Sequence, residues 1–286
     1  MALRSLTSVV AYECRCYRAP FYNKHYHPPQ RLPRVLSAPF LSTFSLFSTT
    51  GNFLCSPMEK YLSGVNKSRN KELVNQLQRY GVIHSGKVSE VMETIDRGLF
   101  VPEGTAAYVD SPMPIGHNAT ISAPHMHAMC LDLLHDKLQP GMHALDVGSG
   151  TGYLTACFAL MVGGEGRVVG IEHIPELATW SIENIKKSAA APFLEASSLS
   201  IHVGDGRQGW PEAAPYDAIH VGAAAPEIPK ALIEQLKPGG RLVIPVGTLF
   251  QDLQVIDKKE DGSLSIRTET SVRYVPLTSR EEQLRG

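Results

Sequence analysis

A glycine-rich segment offers the clearest chemistry in this chain. Residues 145–152 have the sequence LDVGSGTG, in which an apolar strand end is followed by Gly148, Gly150 and Gly152 at every second position. Glycine permits a tight turn, and the missing side chains let a ligand lie against the backbone. The segment YLTACFALM that follows favours a helix, whose free N–H groups would point at that ligand. The spacing therefore predicts a strand, a turn and a helix that form a nucleotide-type cradle.

Two common phosphate-binding patterns fit this cradle poorly. A P-loop requires GxxxxGK[ST], and the chain contains no Gly-Lys-Ser or Gly-Lys-Thr sequence. The dinucleotide fingerprint requires a third small residue three positions after Gly150, where this chain has Tyr153. A nicotinamide oxidoreductase built on the same cradle is an alternative. Tyr153 and the lack of a second catalytic domain both argue against it.

Two acids follow the next strands along the chain. Glu172 ends the β-branched segment GRVVGIE and lies twenty residues beyond Gly152, the spacing at which a carboxylate meets the paired hydroxyls of a ribose. Asp205 and Gly206 follow the strand predicted at 199–203. There Asp205 would accept a hydrogen bond from an adenine amino group, and Gly206 would leave room for the ring. The alternative for Glu172 is a side chain at a strand end that faces water.

The segment IGHNATISAPHMH, at 115–127, places a hydroxyl just before a predicted helix. Ser122 precedes an Ala-Pro dipeptide, and a serine followed by a first-turn proline predicts an N-cap. His125 and His127 are then ordinary polar residues of that turn. The competing interpretation is functional, because a helix start beside the cradle would point free N–H groups and the Ser122 hydroxyl at an anion.

Hydrophobic periodicity alternates between helix-like and strand-like segments along the body of the chain. Helices are predicted at 70–80, 85–96, 122–134, 175–187 and 228–236. Strands beyond the cradle are predicted at 166–172, 199–203, 216–222, 241–246 and 272–275, with a hairpin at 252–268 and a loop at 189–198. This alternation is typical of an open α/β sheet, whose ligands bind at the carboxyl ends of the strands.

Several separate stretches agree with one family. The chain resembles the protein-L-isoaspartate (D-aspartate) O-methyltransferases, which are class I S-adenosylmethionine (AdoMet) methyltransferases. The motifs that carry this resemblance are LDVGSGTG, GGRLVIPVG, SPMPIG, ATISAPHMHA, GDGR, YDAIHVGAAAP and YVPLT, spread over roughly residues 66–284. The resemblance implies an α/β fold with a Rossmann-like, open twisted seven-stranded sheet, helices on both faces and a rearrangement of the last strands.

The resemblance also implies roles for named residues. Ser122 would be the active-site hydroxyl, in a loop over the cofactor, and no metal is expected. The residues expected to bind AdoMet are Ala119, Thr120, Ile121, Ser122, His127, Asp146, Gly148, Ser149, Gly150, Thr151, Gly152, Glu172, His173, Asp205, Gly206, Thr278 and Gln283. Asp146 to Gly152 would hold the amino-acid arm of the cofactor, Glu172 the ribose, and Asp205 and Gly206 the adenine.

The implied reaction is the repair of damaged proteins. A methyl group would move from AdoMet to the α-carboxylate of L-isoaspartyl residues, and more weakly of D-aspartyl residues, in age-damaged proteins and peptides. The nearest alternative is a class I methyltransferase for RNA or a small molecule, which the ATISAPHMHA motif disfavours. A non-catalytic AdoMet-fold protein would need degraded cofactor positions, and here they are intact.

Composition limits the other classes of function. The chain has 286 residues, a hydrophobic fraction of 43% and a formal net charge of −1, which disfavours a general nucleic-acid binder. No run of 18 apolar residues occurs, so no membrane span is expected. The five cysteines form no disulfide framework, and we expect reduced thiols. We expect a monomer.

The first 57 residues differ in composition from the rest. They contain six basic side chains and a single acid, Glu13, and are rich in serine, proline and aromatic residues. Transit peptides to mitochondria or plastids have this composition. We therefore expect residues 1–57 to be a disordered, transit-peptide-like extension and residues 58–286 to be the methyltransferase domain. Without import, or in a shorter form starting at Met58, the enzyme would be cytoplasmic.

Overall fold

The computed structural model describes residues 57–285. Its helices are α1 Pro57–Arg79, α2 Gly86–Thr94, α3 Pro124–Leu134, α4 Tyr153–Val162, α5 Pro175–Lys187, α6 Ala191–Glu195, α7 Lys230–Gln235 and α8 Arg280–Arg285. Its strands are β1 Met113–Gly116, β2 Ala119–Ile121, β3 His143–Val147, β4 Arg167–Glu172, β5 Leu199–Val203, β6 Tyr216–Val221, β7 Leu236–Gly247, β8 Gln251–Lys258 and β9 Leu264–Val272. The extension expected at residues 1–57 lies almost wholly outside the described residues, so that expectation stays a prediction.

A seven-stranded sheet forms the centre of the described chain. The strand order is β5-β4-β3-β6-β7-β8-β9, with parallel pairing from β5 to β7 and antiparallel pairing of β7 with β8 and of β8 with β9. The chain runs outward from β3 to β5 and then returns to β6 beside β3. This reversal is the topological switch point, where open α/β sheets bind their ligands. The predicted α/β class and seven-stranded sheet are confirmed.

Alternate residues of the central strands enter two separate cores. Ala144 of β3 packs with α3, α4 and α5 on one face of the sheet, whereas Leu145 and Val147 pack on the other face with α7. All three side chains are fully buried. Both faces of β3 are therefore covered, and the strand ends at the glycine turn, which is the position that a cofactor site requires.

The start of α3 differs from the sequence prediction. The N-cap residue is Ala123, without a side-chain cap, and Pro124 occupies the first turn. Ser122 lies one residue further upstream, and its carbonyl oxygen accepts a hydrogen bond of 2.8 Å from Arg97 Nη2. The predicted N-cap at Ser122 is therefore wrong, because a contact from a distant part of the chain fixes the backbone before the helix.

The C-terminal elements also differ from their predictions. The strand predicted at 272–275 is absent, since β9 ends at Val272 and the chain then leaves the sheet edge. Gln251 binds both backbone groups of Tyr274, and Pro276 bridges to Ala224 beside β6. The strand predicted at 241–246 is part of the longer β7. The pairing of β7 with β6 changes register around the glycines of β7. The loop predicted at 189–198 contains α6.

Three further observations concern the described residues. None of their helices is long and apolar enough to span a membrane. Within residues 57–285, no group of three or more histidine, cysteine or acidic side chains is arranged to hold a metal ion. Cys130 and Cys157 are free, buried thiols, as expected for the body of the chain.

Candidate active site

The glycine turn after β3 forms the centre of the site. Gly148, Gly150 and Gly152 have φ angles of 73°, 54° and 90°, in the left-handed region that side chains disfavour. The N–H groups of Gly148 and Ser149 donate to the Ile171 carbonyl at 2.9 Å, which ties the turn to the end of β4. The turn therefore has the bare, tightly bent backbone that its sequence predicts.

Two adjoining cavities lie over this turn, and their walls share Ile115, Thr120, Gly148, Gly150 and Gly222. The first cavity also contains six residues expected at the site: Ile121, Ser122, His127, Asp146, Ser149 and Thr151. The second cavity contains six others: Ala119, Glu172, His173, Gly206, Thr278 and Gln283. The structure thus brings all but two of the residues named from the sequence to one cleft.

The two exceptions are Gly152 and Asp205. Gly152 begins α4, and an added Cβ there would overlap Ser181, so this glycine permits α4 to pack closely on α5. The Asp205 carboxylate caps the short helix that starts at Gly206 and binds the Arg207 guanidinium at 2.8 Å. Hydrogen bonding to Arg207 holds the pKa of Asp205 below its usual value. Asp205 thus faces Arg207, and its adenine contact stays a prediction.

Glu172 joins the glycine turn to the second cavity. Its Oε2 accepts from the Gly150 N–H at 2.9 Å, and its Oε1 accepts from the Ile174 N–H at 2.9 Å. The residue is only 5% exposed, and this burial raises the pKa of the carboxyl group. Each carboxylate oxygen has a second lone pair, so both remain able to accept from a ribose hydroxyl.

We expect Glu172→Ala to weaken AdoMet binding by about tenfold or more. Hydrogen bonds to a charged group contribute about 1.5–3 kcal/mol, and the variant also leaves the Gly150 N–H without its acceptor. Titration calorimetry measures the affinity. Glu176→Ala, at an exposed carboxylate in the first turn of α5, is the matched control and should bind AdoMet normally. Unchanged affinity in a folded Glu172→Ala protein would remove this residue from the site.

Asp146 is a fixed carboxylate at the floor of the first cavity. Its Oδ1 lies 2.8 Å from Nδ1 of His220, and its Oδ2 accepts from Thr155 Oγ1 at 2.6 Å. Burial opposes a charge on His220, but Cys130 and Asp146 outweigh it and raise the pKa of His220 to about 10. A protonated His220 therefore balances the charge of Asp146. No sequence pattern marks His220, which only the pairing of β3 with β6 brings to Asp146.

Arg97 is a second residue that the sequence did not single out. Its side chain is 1% exposed, its Nη2 donates to the Ser122 carbonyl, and its Nη1 lies 3.3 Å from Nδ1 of His127. Its Cζ lies 5.8 Å from the centre of the Tyr153 ring. Arg97 is not among the residues that line the two cavities. It therefore holds the segment that carries Ser122 from outside the cavities.

The contact with Arg97 also determines the state of His127. Burial, and then the charge of Arg97, lower the pKa of His127 well below its usual value, so the ring is neutral. A guanidinium can only donate, so Nδ1 of His127 must accept and the proton is on Nε2. His127 thereby becomes a hydrogen-bond donor in the wall of the first cavity.

Tyr274 lies close to Ser122 and Cys130, and burial, followed by the effect of Cys130, raises the pKa of Tyr274 well above its usual value. The tyrosine is thus a neutral phenol beside the serine. Its position depends on Gln251, whose side chain binds the Tyr274 backbone in both directions.

The cleft fits AdoMet by two independent observations. Ser149 Oγ is buried in the first cavity and has no hydrogen-bond partner among the described residues, so a polar ligand group can satisfy it. Gly148 and Gly222 line both cavities, and a Cβ added at Gly222 would lie only 3.0 Å from the Gly148 carbonyl oxygen. Backbone without side chains therefore borders the cleft after both β3 and β6. At the opposite wall, the Gln283 Oε1 of α8 lies 2.8 Å from His173 Nε2, which closes the second cavity.

The family model for protein-L-isoaspartate (D-aspartate) O-methyltransferase matches residues 68–282 of the chain. The chain belongs to this family. It is 63% identical over 273 residues to protein-L-isoaspartate O-methyltransferase 2 of Arabidopsis thaliana, a match that covers 95% of this chain and 88% of the relative. It is 70% identical over 227 residues to the Triticum aestivum enzyme, with coverage of 79% and 99%.

A solved structure of the same family has a similar fold. The protein-L-isoaspartate O-methyltransferase of Plasmodium falciparum, crystallised with S-adenosyl-L-homocysteine, superimposes with a TM-score of 0.68 at 37% identity. The match covers 73% of this chain and 98% of that protein. The chain is therefore an AdoMet-dependent protein-L-isoaspartate O-methyltransferase, and the oxidoreductase, RNA-methyltransferase and non-catalytic alternatives are set aside.

Proposed function

We propose that Ser122 orients the α-carboxylate of the isoaspartyl residue for in-line attack on the methyl group of AdoMet. The observation that carries this proposal is the position of Ser122 in the wall of the first cavity, together with the glycine turn and His127. Its hydroxyl is not consumed by a helix cap, and its carbonyl is held by Arg97. The serine is therefore fixed in position while its hydroxyl remains available to a substrate.

This set of residues suits a reaction that needs no strong base. An isoaspartyl carboxylate has a pKa near 4 and is ionised at neutral pH. AdoMet, when bound, supplies a methyl group that is already activated by the adjacent sulfonium. The task of the chain is alignment, which can contribute about 7–11 kcal/mol.

The choice of neutral donors follows from the same chemistry. The carboxylate loses charge in the transition state. A strong cationic contact in the cavity would therefore stabilise the ground state more than the transition state and slow the transfer. The Ser122 hydroxyl and the neutral His127 are weaker donors. The charge of Arg97 is turned towards the Ser122 carbonyl, behind the cavity wall.

Incubation with labelled AdoMet and paired peptides tests the substrate. The two peptides differ only in whether one residue is aspartate or L-isoaspartate, and a third contains D-aspartate. We expect methyl esters on the isoaspartyl peptide, weaker labelling of the D-aspartyl peptide and none on the aspartyl peptide. Equal labelling of all three would contradict selection of the repair substrate.

We further propose that the basic first 57 residues direct the enzyme into a plastid or mitochondrion and that the enzyme is a monomer. The support for import is compositional, since the segment is basic and nearly free of acids. A fusion of residues 1–57 to a fluorescent protein should enter one of these organelles. A protein that starts at Met58 should keep its kcat and Tm. A diffuse cytosolic signal, or a large loss of activity in the shortened protein, would contradict the proposal.

A further inference from the structure

The turn between β7 and β8 projects two apolar side chains into solvent. Leu249 is 92% exposed and Phe250 is 93% exposed, the highest values among the large hydrophobic residues that the structure describes. They lie between Gly247, where β7 ends, and Gln251, where β8 begins. We call these two side chains the hairpin tip. Adjacent apolar side chains that are almost fully exposed can mark a recognition surface.

Hydrogen bonds tie the hairpin tip to the catalytic cleft. Gln251 Oε1 accepts from the Tyr274 N–H at 2.6 Å, and Gln251 Nε2 donates to the Tyr274 carbonyl at 3.1 Å. On the other strand, the Gly247 N–H donates to the Ala225 carbonyl at 2.8 Å. Tyr274 is followed directly by Val275, which lines the second cavity, so these bonds hold the hairpin tip at a fixed position relative to the cleft.

A groove leads from the hairpin tip to the cofactor site. It has a volume of about 860 Å³, and its walls include Leu249, Phe250 and Tyr274. Pro276, Leu277 and Thr278 line both this groove and the second cavity of the cleft. The groove therefore adjoins the cleft at its second cavity.

We propose that this groove binds the residues that flank the isoaspartyl residue, and that Leu249 and Phe250 contact apolar side chains among them. The proposal deepens the proposed function, on which it rests. The substrate is a polypeptide, so the chain on either side of the reacting residue must leave the cleft across the protein surface. Each extended residue advances about 3.3 Å, and a few residues suffice to cross a surface groove. The enzyme then methylates isoaspartyl residues in apolar surroundings more efficiently than those in polar ones.

Two peptides and two variants test this inference. One L-isoaspartyl peptide has valine and phenylalanine on either side of the reacting residue, and the other has glycine and serine at the same positions. The test variant is the double substitution Leu249→Ser with Phe250→Ser. The control is Ile266→Ser, which removes a side chain that is 52% exposed on β9, six residues before the strand ends. Initial rates give kcat and KM, and light scattering gives the mass in solution.

We expect the wild-type KM to be lower for the apolar-flanked peptide. The double variant should raise that KM about tenfold, leave the KM of the polar-flanked peptide within about twofold, and keep kcat unchanged on both. Ile266→Ser should behave like the wild type. Both variants should keep the wild-type Tm, because the substituted side chains are exposed.

Four outcomes would overturn the inference. They are the absence of a wild-type preference, an equal rise of KM for both peptides, the same effect from Ile266→Ser, and a wild-type dimer that the double variant dissociates. The last outcome would identify the hairpin tip as a contact between two copies of the chain. Failure of the docking inference leaves methylation of the polar-flanked peptide intact. A wild-type enzyme that methylates neither peptide would instead contradict the proposed function.

Discussion

Ser122→Asp is expected to abolish methyl transfer while the protein still unfolds near the wild-type temperature. The introduced carboxylate would share the first cavity with the substrate carboxylate. Two like charges about 4 Å apart repel by about 4 kcal/mol at an effective dielectric constant of 20, which corresponds to a rate loss of about a thousandfold. The kcat on an L-isoaspartyl peptide and the Tm from calorimetry measure the two effects.

Two further substitutions separate charge from the loss of the hydroxyl. Ser122→Ala removes the hydroxyl alone, and because the hydroxyl caps no helix, its Tm should match that of the wild type. Ser122→Asn adds similar bulk without charge and should retain more activity than Ser122→Asp. Wild-type kcat in the aspartate variant would show that Ser122 does not approach the substrate.

The sequence contained enough information to predict the cradle and its neighbours. Gly148, Gly150 and Gly152 predict the left-handed turn that the structure has, and the spacing of Glu172 predicts a carboxylate at the same cleft. Such signals are local, because each depends on a single strand and the turn after it. For the same reason the parallel strands β3, β4, β5 and β6 fall where periodicity places them.

Predictions failed where a distant segment determines the local structure. Ser122 has a capping sequence, yet Arg97 fixes its carbonyl and the helix begins one residue later than that sequence suggests. The strand predicted at 272–275 is replaced by an irregular segment that Gln251 holds against the cleft. No periodicity encodes such contacts, because their partners are not neighbours on one element.

Arg97 is the site residue that no sequence pattern identified. It lies in a short helix, Arg97–Phe100, which follows α2. Its Nε is buried without a hydrogen-bond partner in the part of the chain that the structure describes. Burial of a guanidinium is costly, and it lowers the pKa of Arg97. A side chain retained at such a cost, in contact with Ser122 and His127, indicates a role in the site.

Arg97→Met is expected to lower kcat/KM by about a hundredfold. Methionine fills much of the buried space without a charge to desolvate, which offsets part of the loss of the two hydrogen bonds. Each such bond to a charged group contributes about 1.5–3 kcal/mol, and tenfold in rate corresponds to about 1.4 kcal/mol. The loss arises because the Ser122 carbonyl and the His127 ring are no longer fixed. Arg97→Lys should not restore activity, since one ammonium cannot reproduce the planar fork that reaches both groups.

Nitrogen NMR of histidine-labelled protein distinguishes positioning from a general structural defect. In the wild type, Nδ1 of His127 accepts from Arg97 and should show the shift of an unprotonated ring nitrogen, with the proton on Nε2. In Arg97→Met that constraint is lost, so we expect the Nδ1 signal to move towards the average of the two tautomers. The Asp146–His220 pair lies beyond the direct contacts of Arg97 and provides an internal control. An unchanged His127 signal, or a variant with wild-type kcat/KM, would show that Arg97 only fills space behind the serine.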